Sequence, residues 1–201
     1  MRREVHVRFC EGGGVRFPSA TRLVMTFELR EDAERVMDVL GKRLGRFGLT
    51  LHPDKTRPLP FRRPPAAQTG RKGPATFDFL GFTLYWRRAR SGRWGMTCKT
   101  RQARLRRSVQ AIADWCRRHR HLPVKVQHAA LTRRIQGHFN YFGVSGNFRS
   151  LLMLAEGAKR AWYEWLRRRS QQAHLTWERF GELLKRFPLP RPRIRVRIWG
   201  T

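Results

Sequence analysis

Clusters of arginine with tryptophans between them are the residues of this chain that are best suited to do chemistry. Guanidinium groups make bidentate contacts with phosphates and stack on unpaired bases. This pattern indicates contact with RNA more than a merely solvated surface. The arginines that we predict to contact RNA are Arg101, Arg104 and Arg107; Arg117, Arg118 and Arg120; and Arg167, Arg168 and Arg169.

A second group of polar side chains lies in the segment 137–147, which contains three glycines and is predicted to join two helices. A turn between helices needs few of these side chains, and polar groups in a connection can read RNA base edges or 2′-hydroxyls. We therefore predict specific RNA contacts from His138, Asn140, Tyr141 and Asn147.

The histidines and cysteines do not indicate a metal site. Four histidines near the arginine clusters have cationic neighbours, which disfavour a divalent ion, and no cysteine lies at ligand spacing. These are His119, His121, His128 and His138. The three cysteines form no CxxC pair, as expected in a reducing compartment. No stretch approaches the roughly 18 apolar residues of a membrane span, so we expect a soluble, cytoplasmic protein without a membrane partner.

The charge of the chain favours a polyanionic partner. The 201 residues include 44 Lys and Arg against 14 Asp and Glu, for a net charge of +30. Residues 79–201 hold 28 of the basic and 5 of the acidic residues, a net charge of +23, whereas residues 1–78 carry +7. Nucleic acid is the default partner of such a chain, and an anionic membrane surface is the weaker alternative.

Hydrophobic periodicity predicts an α+β fold that is mostly α. The first half is predicted to contain a strand over 23–27 and then a helix that begins near Glu31. Gly48 is predicted to end this helix as a left-handed cap. The strongest strand pattern covers 77–86, and a turn at 90–93 leads to a possible return strand. Residues 1–18 show no clean period.

From Lys99 onward the period is helical, with breaks at His121–Pro123 and at Pro188. Two of the predicted helices cover about 124–139 and 147–168, and a last one begins near Thr176. Their polar faces are almost purely cationic. The tryptophans fall on the apolar stripes, so we expect them in the core: Trp115, Trp162, Trp165 and Trp177.

A series of spaced motifs runs through the chain: FGLTLHPDKT over 47–56, FDFLGF over 77–82, RHLP over 120–123, GHFNYFGVSGN over 137–147, LTWERF over 175–180 and PLPRPRI over 188–194. The first two resemble the last palm motifs of bacterial group II intron reverse transcriptases. The others resemble the thumb and maturase-specific region of the same family. The resemblance covers about residues 19–201, and the order of the motifs makes it specific.

The resemblance implies a domain organisation and several residue roles. Residues 23–97 would be the C-terminal remnant of a reverse transcriptase palm, and residues 98–201 a helical thumb and maturase domain. Lys55 would lie near the phosphates of the incoming nucleotide. Leu80, Gly81 and Phe82 would form the hairpin that grips the primer strand, with Gly81 permitting close backbone approach.

One departure from the family pattern concerns catalysis. Where the family carries Tyr-Ala-Asp-Asp, this chain has Ser19-Ala20-Thr21-Arg22, and the fingers are absent. Two-metal phosphoryl transfer needs clustered carboxylates, which Thr21 and Arg22 cannot supply. We therefore expect no polymerase activity and no cofactor for this chain alone, with Mg²⁺ needed only by the intact family enzyme. Residues 1–22 are unmatched, and we hypothesise that they derive from a shifted reading frame.

The expected function is that of an RNA-binding C-terminal fragment of a group II intron reverse transcriptase/maturase. It would assist intron RNA folding and splicing, with structured intron RNA or an RNA/DNA hybrid as its partner. Two alternatives remain open. The chain could be one subunit of a split RNA-directed DNA polymerase that a separate fingers/palm polypeptide completes in trans, or an inactive, truncated remnant of a mobile element.

Overall fold

A computed structural model describes residues 5–10, 22–51, 56–65, 75–169 and 175–197. These residues form an α+β fold with more helix than strand, as the sequence predicts. The strands are β1 (Val5–Cys10), β2 (Arg22–Phe27), β3 (Arg57–Pro60), β4 (Thr76–Phe79), β5 (Phe82–Arg88) and β6 (Trp94–Thr100). The helices are α1 (Arg30–Gly45), α2 (Gln102–Arg118), α3 (Val124–Phe142), α4 (Phe148–Arg167) and α5 (Trp177–Arg186).

The chain divides into two compact units, of which the first comprises Met1–Leu80 with Leu84–Met96. Its sheet has the order β2-β1-β3, and β1 pairs antiparallel with both neighbours. Helix α1 packs on this sheet through Ala33, which is fully buried against Met25 and Phe27. The predicted left-handed conformation of Gly48 is confirmed by its φ of +69°, but α1 itself ends earlier, at Gly45, with Arg46 as its C-cap.

Strand β1 was not expected, since residues 1–18 were predicted to be irregular. The signal for it is the alternation of Val5, Val7 and Phe9 with polar residues, a period of two over a short stretch. This local pattern is weak, and the strand is held by backbone pairing with β2 on one side and β3 on the other. The apolar residues that recur at helical spacing from Ala33 to Phe47 predict a buried stripe on α1, but this stripe is wrong at one end, because Phe47 is 80% exposed.

The predicted strand over 77–86 is two strands. A two-residue turn at Leu80 (φ +47°) and Gly81 (φ +82°) separates β4 from β5. Positive φ at both central residues is the type I′ geometry that suits the twist of a hairpin. The predicted turn at 90–93 is confirmed, because Gly92 has a φ of +77°. The return strand after it, β6, runs on to Thr100.

The second unit comprises Gly81–Thr83 with Thr97–Thr201. Its core is built by α2, α3, α4 and α5, and the predicted helices are confirmed with ends shifted by a few residues. Trp115 and Trp162 are buried as predicted, whereas Trp177 is 46% exposed. The indole N–H of Trp162 donates to Gln127 Oε1 (3.0 Å), which satisfies a polar group in the centre of this core.

Candidate nucleic-acid interface

The predicted RNA-binding arginines lie in three places: the start of α2, the end of α2 and the end of α4. Arg101 and Arg104 lie at the start of α2, and Arg117 and Arg118 form its last turn. The C-terminal ends of α2 and α4 lie close together, since the Arg169 guanidinium donates to the main-chain carbonyl of His121 (3.1 Å). All nine predicted arginines are exposed.

The arginines at the ends of α2 and α4 also have a role in folding. A helix C-terminus carries a partial negative charge, so Arg117 and Arg118 stabilise α2 and Arg167 stabilises α4. In addition, guanidinium nitrogens of Arg167 and Arg168 lie 3.7 Å and 3.6 Å from the carboxylate of Glu164. Contact with RNA is therefore not needed to explain these positions.

The arginines at the start of α2 do not stabilise this helix through its dipole. The N-terminus of a helix carries a partial positive charge, which disfavours cations there. Arg101 precedes the first turn of α2, Arg104 lies near its start, and this turn contains no acidic residue. Helix stability alone would favour a carboxylate at this position.

Two of the three predicted primer-grip residues, Gly81 and Phe82, lie near the start of α2. The main-chain N–H of Arg101 donates to the carbonyl of Gly81 (2.8 Å). A Cβ added to Gly81 would lie 3.3 Å from the Phe142 ring, so the backbone approaches α3 closely here. The Phe82 ring lies 6.1 Å from that of Tyr141, nearly parallel to it. Leu80 belongs to the first unit and is 43% exposed.

A cleft between α2 and α3 adjoins these residues, and we call it the α2–α3 cleft. Its volume is about 360 Å³, and it is lined by Arg104, Arg134, Gly137, His138, Tyr141 and Phe142. A second cavity of about 230 Å³ shares Arg134 and His138 and extends toward Leu154 of α4. The structure thus brings Arg104 of the arginine clusters together with His138 and Tyr141, which were predicted as part of the polar group over 137–147.

Arg134 is a member of this cleft that the sequence reasoning missed. Its guanidinium carbon lies 4.7 Å from the centre of the Trp115 ring, and Nη1 donates to the carbonyl of Ala130 (3.3 Å). The signal for it was present in the sequence. Arg134, His138 and Tyr141 are spaced by four and three residues, which places them on one face of a helix.

His138 is the most unusual side chain of the cleft. Its Nε2 atom is buried and has no hydrogen-bond partner within the described part of the chain. Burial, and to a lesser extent the positive charge of Arg104, lower the pKa of His138 from 6.5 to about 4. The ring is therefore neutral at pH 7, and it packs against Phe142 with ring centres 4.4 Å apart.

The prediction that Asn147 contacts RNA is wrong. Its side chain is completely buried, and both ends of the amide bond to groups of the protein. The predicted connection over 137–147 is also shorter, because α3 continues to Phe142. Asn140 is exposed on α3, accepts a hydrogen bond from Gln136 (2.8 Å) and does not line the cleft.

The other predicted positions are distributed as follows. Lys55 and Thr21 lie outside the described residues, and Arg22 is the first residue of β2. His119 Nδ1 lies 2.9 Å from the Trp115 carbonyl, and His128 Nε2 lies 2.9 Å from the Pro188 carbonyl. Across the described ranges, no three His, Cys, Asp or Glu side chains cluster in a way that could hold a metal ion. Nor is any described helix long and apolar enough to span a membrane.

A further cationic segment follows α5. Residues 188–197 return to the α3–α4 connection, where the N–H groups of Arg195 (2.6 Å) and Val196 (3.0 Å) donate to the carbonyl of Gly143. The side chains of this segment that sequence reasoning did not assign are the alternating, exposed arginines Arg191, Arg193, Arg195 and Arg197.

No protein-family model matches the chain, and no curated protein matches it.

Proposed function

We propose that the chain binds structured RNA as the RNA-docking part of a group II intron reverse transcriptase/maturase, and so assists intron folding and splicing. The observation that carries this proposal is the position of Arg104 in the first turns of α2, next to Arg101. Two cations lie at the start of α2, where the helix dipole opposes them, and they adjoin Gly81 and the aromatic residues of α3. A polyanion that binds there removes this unfavourable electrostatic energy.

The overall charge supports a polyanionic partner. Residues 79–201 carry 28 basic and only 5 acidic residues. Neutralising phosphates release the counterions that surround a nucleic acid, which provides binding energy without sequence preference. Charge alone therefore supports binding to any nucleic acid.

The preference for RNA follows from groups that charge does not explain. Tyr141 is 54% exposed beside the cleft, and His138 offers a buried nitrogen that has no partner among the described residues. Single-stranded regions of a folded RNA present bases for stacking and 2′-hydroxyls for hydrogen bonding, whereas the bases of a DNA duplex are stacked on each other. These groups suit irregular RNA better than duplex DNA.

A comparison of two double variants tests this proposal. Arg101→Gln/Arg104→Gln and Arg117→Gln/Arg118→Gln each remove two charges from α2, one pair at each end. We expect the affinity of the first variant for a folded group II intron RNA to be about tenfold lower than that of the second. Such a difference is typical of the loss of charge-assisted contacts. Equal losses would show that only net charge matters.

The split-enzyme alternative is favoured by one observation, the turn at Leu80–Gly81 with Phe82 after it, where the resemblance implies a primer grip. The chain itself does not fit the magnesium ions of that reaction, because Thr21 and Arg22 stand where the family has carboxylates. Activity would require carboxylates from a second polypeptide. Primer extension that appears only when a separately expressed fingers/palm polypeptide is added would establish this alternative.

A further inference from the structure

We propose that the α2–α3 cleft holds a single unpaired nucleotide of the bound RNA. Its phosphate would lie between Arg104 and Arg134, and its base against Tyr141 and His138. This inference rests on the proposed function and names the feature of the RNA that the chain recognises.

The size of the cleft suits one nucleotide. A volume of about 360 Å³ lies near the lower end of the ~300–1,000 Å³ that is typical of small-molecule sites. The adjoining cavity is partly apolar, because Ile112 and Leu154 line it. A duplex cannot enter such a cleft, whereas a nucleotide that is turned out of a helix can.

The charge of the cleft suits a phosphate. Two of its six lining residues are arginines, and none is acidic. Among the described residues, no carboxylate lies within ion-pair distance of Arg104 or Arg134. The contacts of Arg134 with Trp115 and with the Ala130 carbonyl hold its guanidinium in place. An ordered guanidinium loses less conformational entropy when it forms a bidentate contact with a phosphate.

The polar group of the cleft suits a base edge or a 2′-hydroxyl. A neutral imidazole has one donor and one acceptor nitrogen, and Nε2 of His138 is buried without a partner among the described residues. Such a group is unfavourable unless a ligand atom completes its hydrogen bond. The half-exposed ring of Tyr141 offers a surface on which a base can stack.

The test uses the full chain and two RNA hairpins that are identical except for one unpaired adenosine in the stem of the first. We expect the bulged hairpin to bind about tenfold more tightly than the paired one, which corresponds to a few specific contacts. Free adenosine monophosphate is a third probe. If it competes with the bulged hairpin, the cleft recognises the nucleotide itself; if it does not, the RNA context is needed, and both results agree with the proposal.

Variants assign the preference to the cleft. Arg104→Gln/Arg134→Gln should reduce the ratio of the two affinities to near one. The matched control Arg106→Gln/Arg133→Gln removes two exposed arginines from the same helices outside the cleft, and it should lower both affinities by the same factor. His138→Phe keeps a ring in place but removes the nitrogen, so it should lower the ratio without lowering the temperature of unfolding.

Two results would overturn the inference. Equal binding of the bulged and paired hairpins by a chain that still prefers a folded intron RNA over DNA would reject the nucleotide cleft and leave the proposed function intact. A preference for the bulge that survives both Arg104→Gln/Arg134→Gln and His138→Phe in folded protein would place the recognition elsewhere. A chain that shows no preference for RNA at all would instead reject the proposed function.

Discussion

The main-chain N–H of Thr100 donates a 2.7 Å hydrogen bond to Oδ1 of Asn147, 47 residues further along the chain. The Nδ2 group of the same side chain donates to the Phe142 carbonyl (2.8 Å) and to Thr100 Oγ1 (2.8 Å). One buried amide therefore ties the end of β6 to the connection between α3 and α4. A polar residue in a loop can be structural even when its neighbours suggest binding.

Replacing Asn147 by Ala should strongly destabilise the protein. The substitution removes the acceptor of the buried Thr100 N–H and one of the two hydrogen bonds that the Phe142 carbonyl accepts, so we expect the free energy of unfolding to fall by at least about 2 kcal/mol. Urea denaturation followed by circular dichroism measures this change. Asn140→Ala is the matched control on α3 and should stay within about 0.5 kcal/mol of the parent. Similar small effects at both positions would contradict the structural role.

Two glycines in helices should respond in opposite directions to alanine. A Cβ on Gly157 of α4 would lie 2.9 Å from Cγ1 of Val109 on α2, and the branched valine side chain has little freedom to move. We expect Gly157→Ala to destabilise the protein by about 1–3 kcal/mol. Gly181 of α5 has no atom within 4 Å of such a Cβ, so Gly181→Ala should stabilise by about 0.5–1 kcal/mol. Thermal unfolding measures both, and shifts of the same sign would contradict the packing of α2 on α4.

His138 should make the stability of the protein depend on pH. Its pKa is 6.5 when unperturbed and about 4 in the folded chain, because burial and the charge of Arg104 disfavour the imidazolium. The unfolded state therefore binds the proton more readily between these values. The contribution of this residue is complete above about pH 6.5 and is lost as the pH falls toward about 4.

The variant His138→Phe isolates that contribution. It should match or exceed the parent in stability near pH 7, because it removes a buried nitrogen without a partner. Its unfolding temperature should also fall less than that of the parent between about pH 6.5 and 4. Parallel pH profiles would show that the imidazole is not desolvated in the folded protein.

The purified chain should not extend a primer on an RNA template with either Mg²⁺ or Mn²⁺. Thr21 and Arg22 stand where the resemblance to group II intron reverse transcriptases would place the carboxylates of two-metal catalysis, and a guanidinium repels a cation. Incorporation of labelled deoxynucleotides, compared with a preparation from cells that lack the gene, measures this. Extension above that background would contradict the argument from these two residues.

The helices of the second unit could be predicted well from the sequence, because each has a long apolar stripe. Trp115 and Trp162 lie on such stripes and are buried. Strand β1 and the division of 77–86 into two strands were missed. Strand β1 depends on backbone pairing with its neighbours, and the division of 77–86 depends on the left-handed turn at Gly81. A short hydrophobic pattern specifies neither the pairing nor the turn.

The candidate site could be predicted only in part. Arg104 and His138 were singled out for their chemistry, but their proximity depends on how α2 packs beside α3, which no local pattern encodes. Arg134 was missed because it stands apart from the arginine clusters. Asn147 was misjudged because burial of a polar side chain depends on tertiary partners, here Thr100 and Phe142.

The central claim, that this chain recognises structured RNA and not merely negative charge, is tested most directly by salt. The affinities for a folded group II intron RNA and for a DNA duplex of similar length should be compared at about 0.1 M and about 1 M salt. The Debye length falls from ~10 Å to ~3 Å over this range, so charge contacts at the surface are largely screened. We predict that the intron RNA remains preferred at the higher concentration, because stacking and hydrogen bonds persist there. Affinities for RNA and DNA that fall together and become equal would contradict the account.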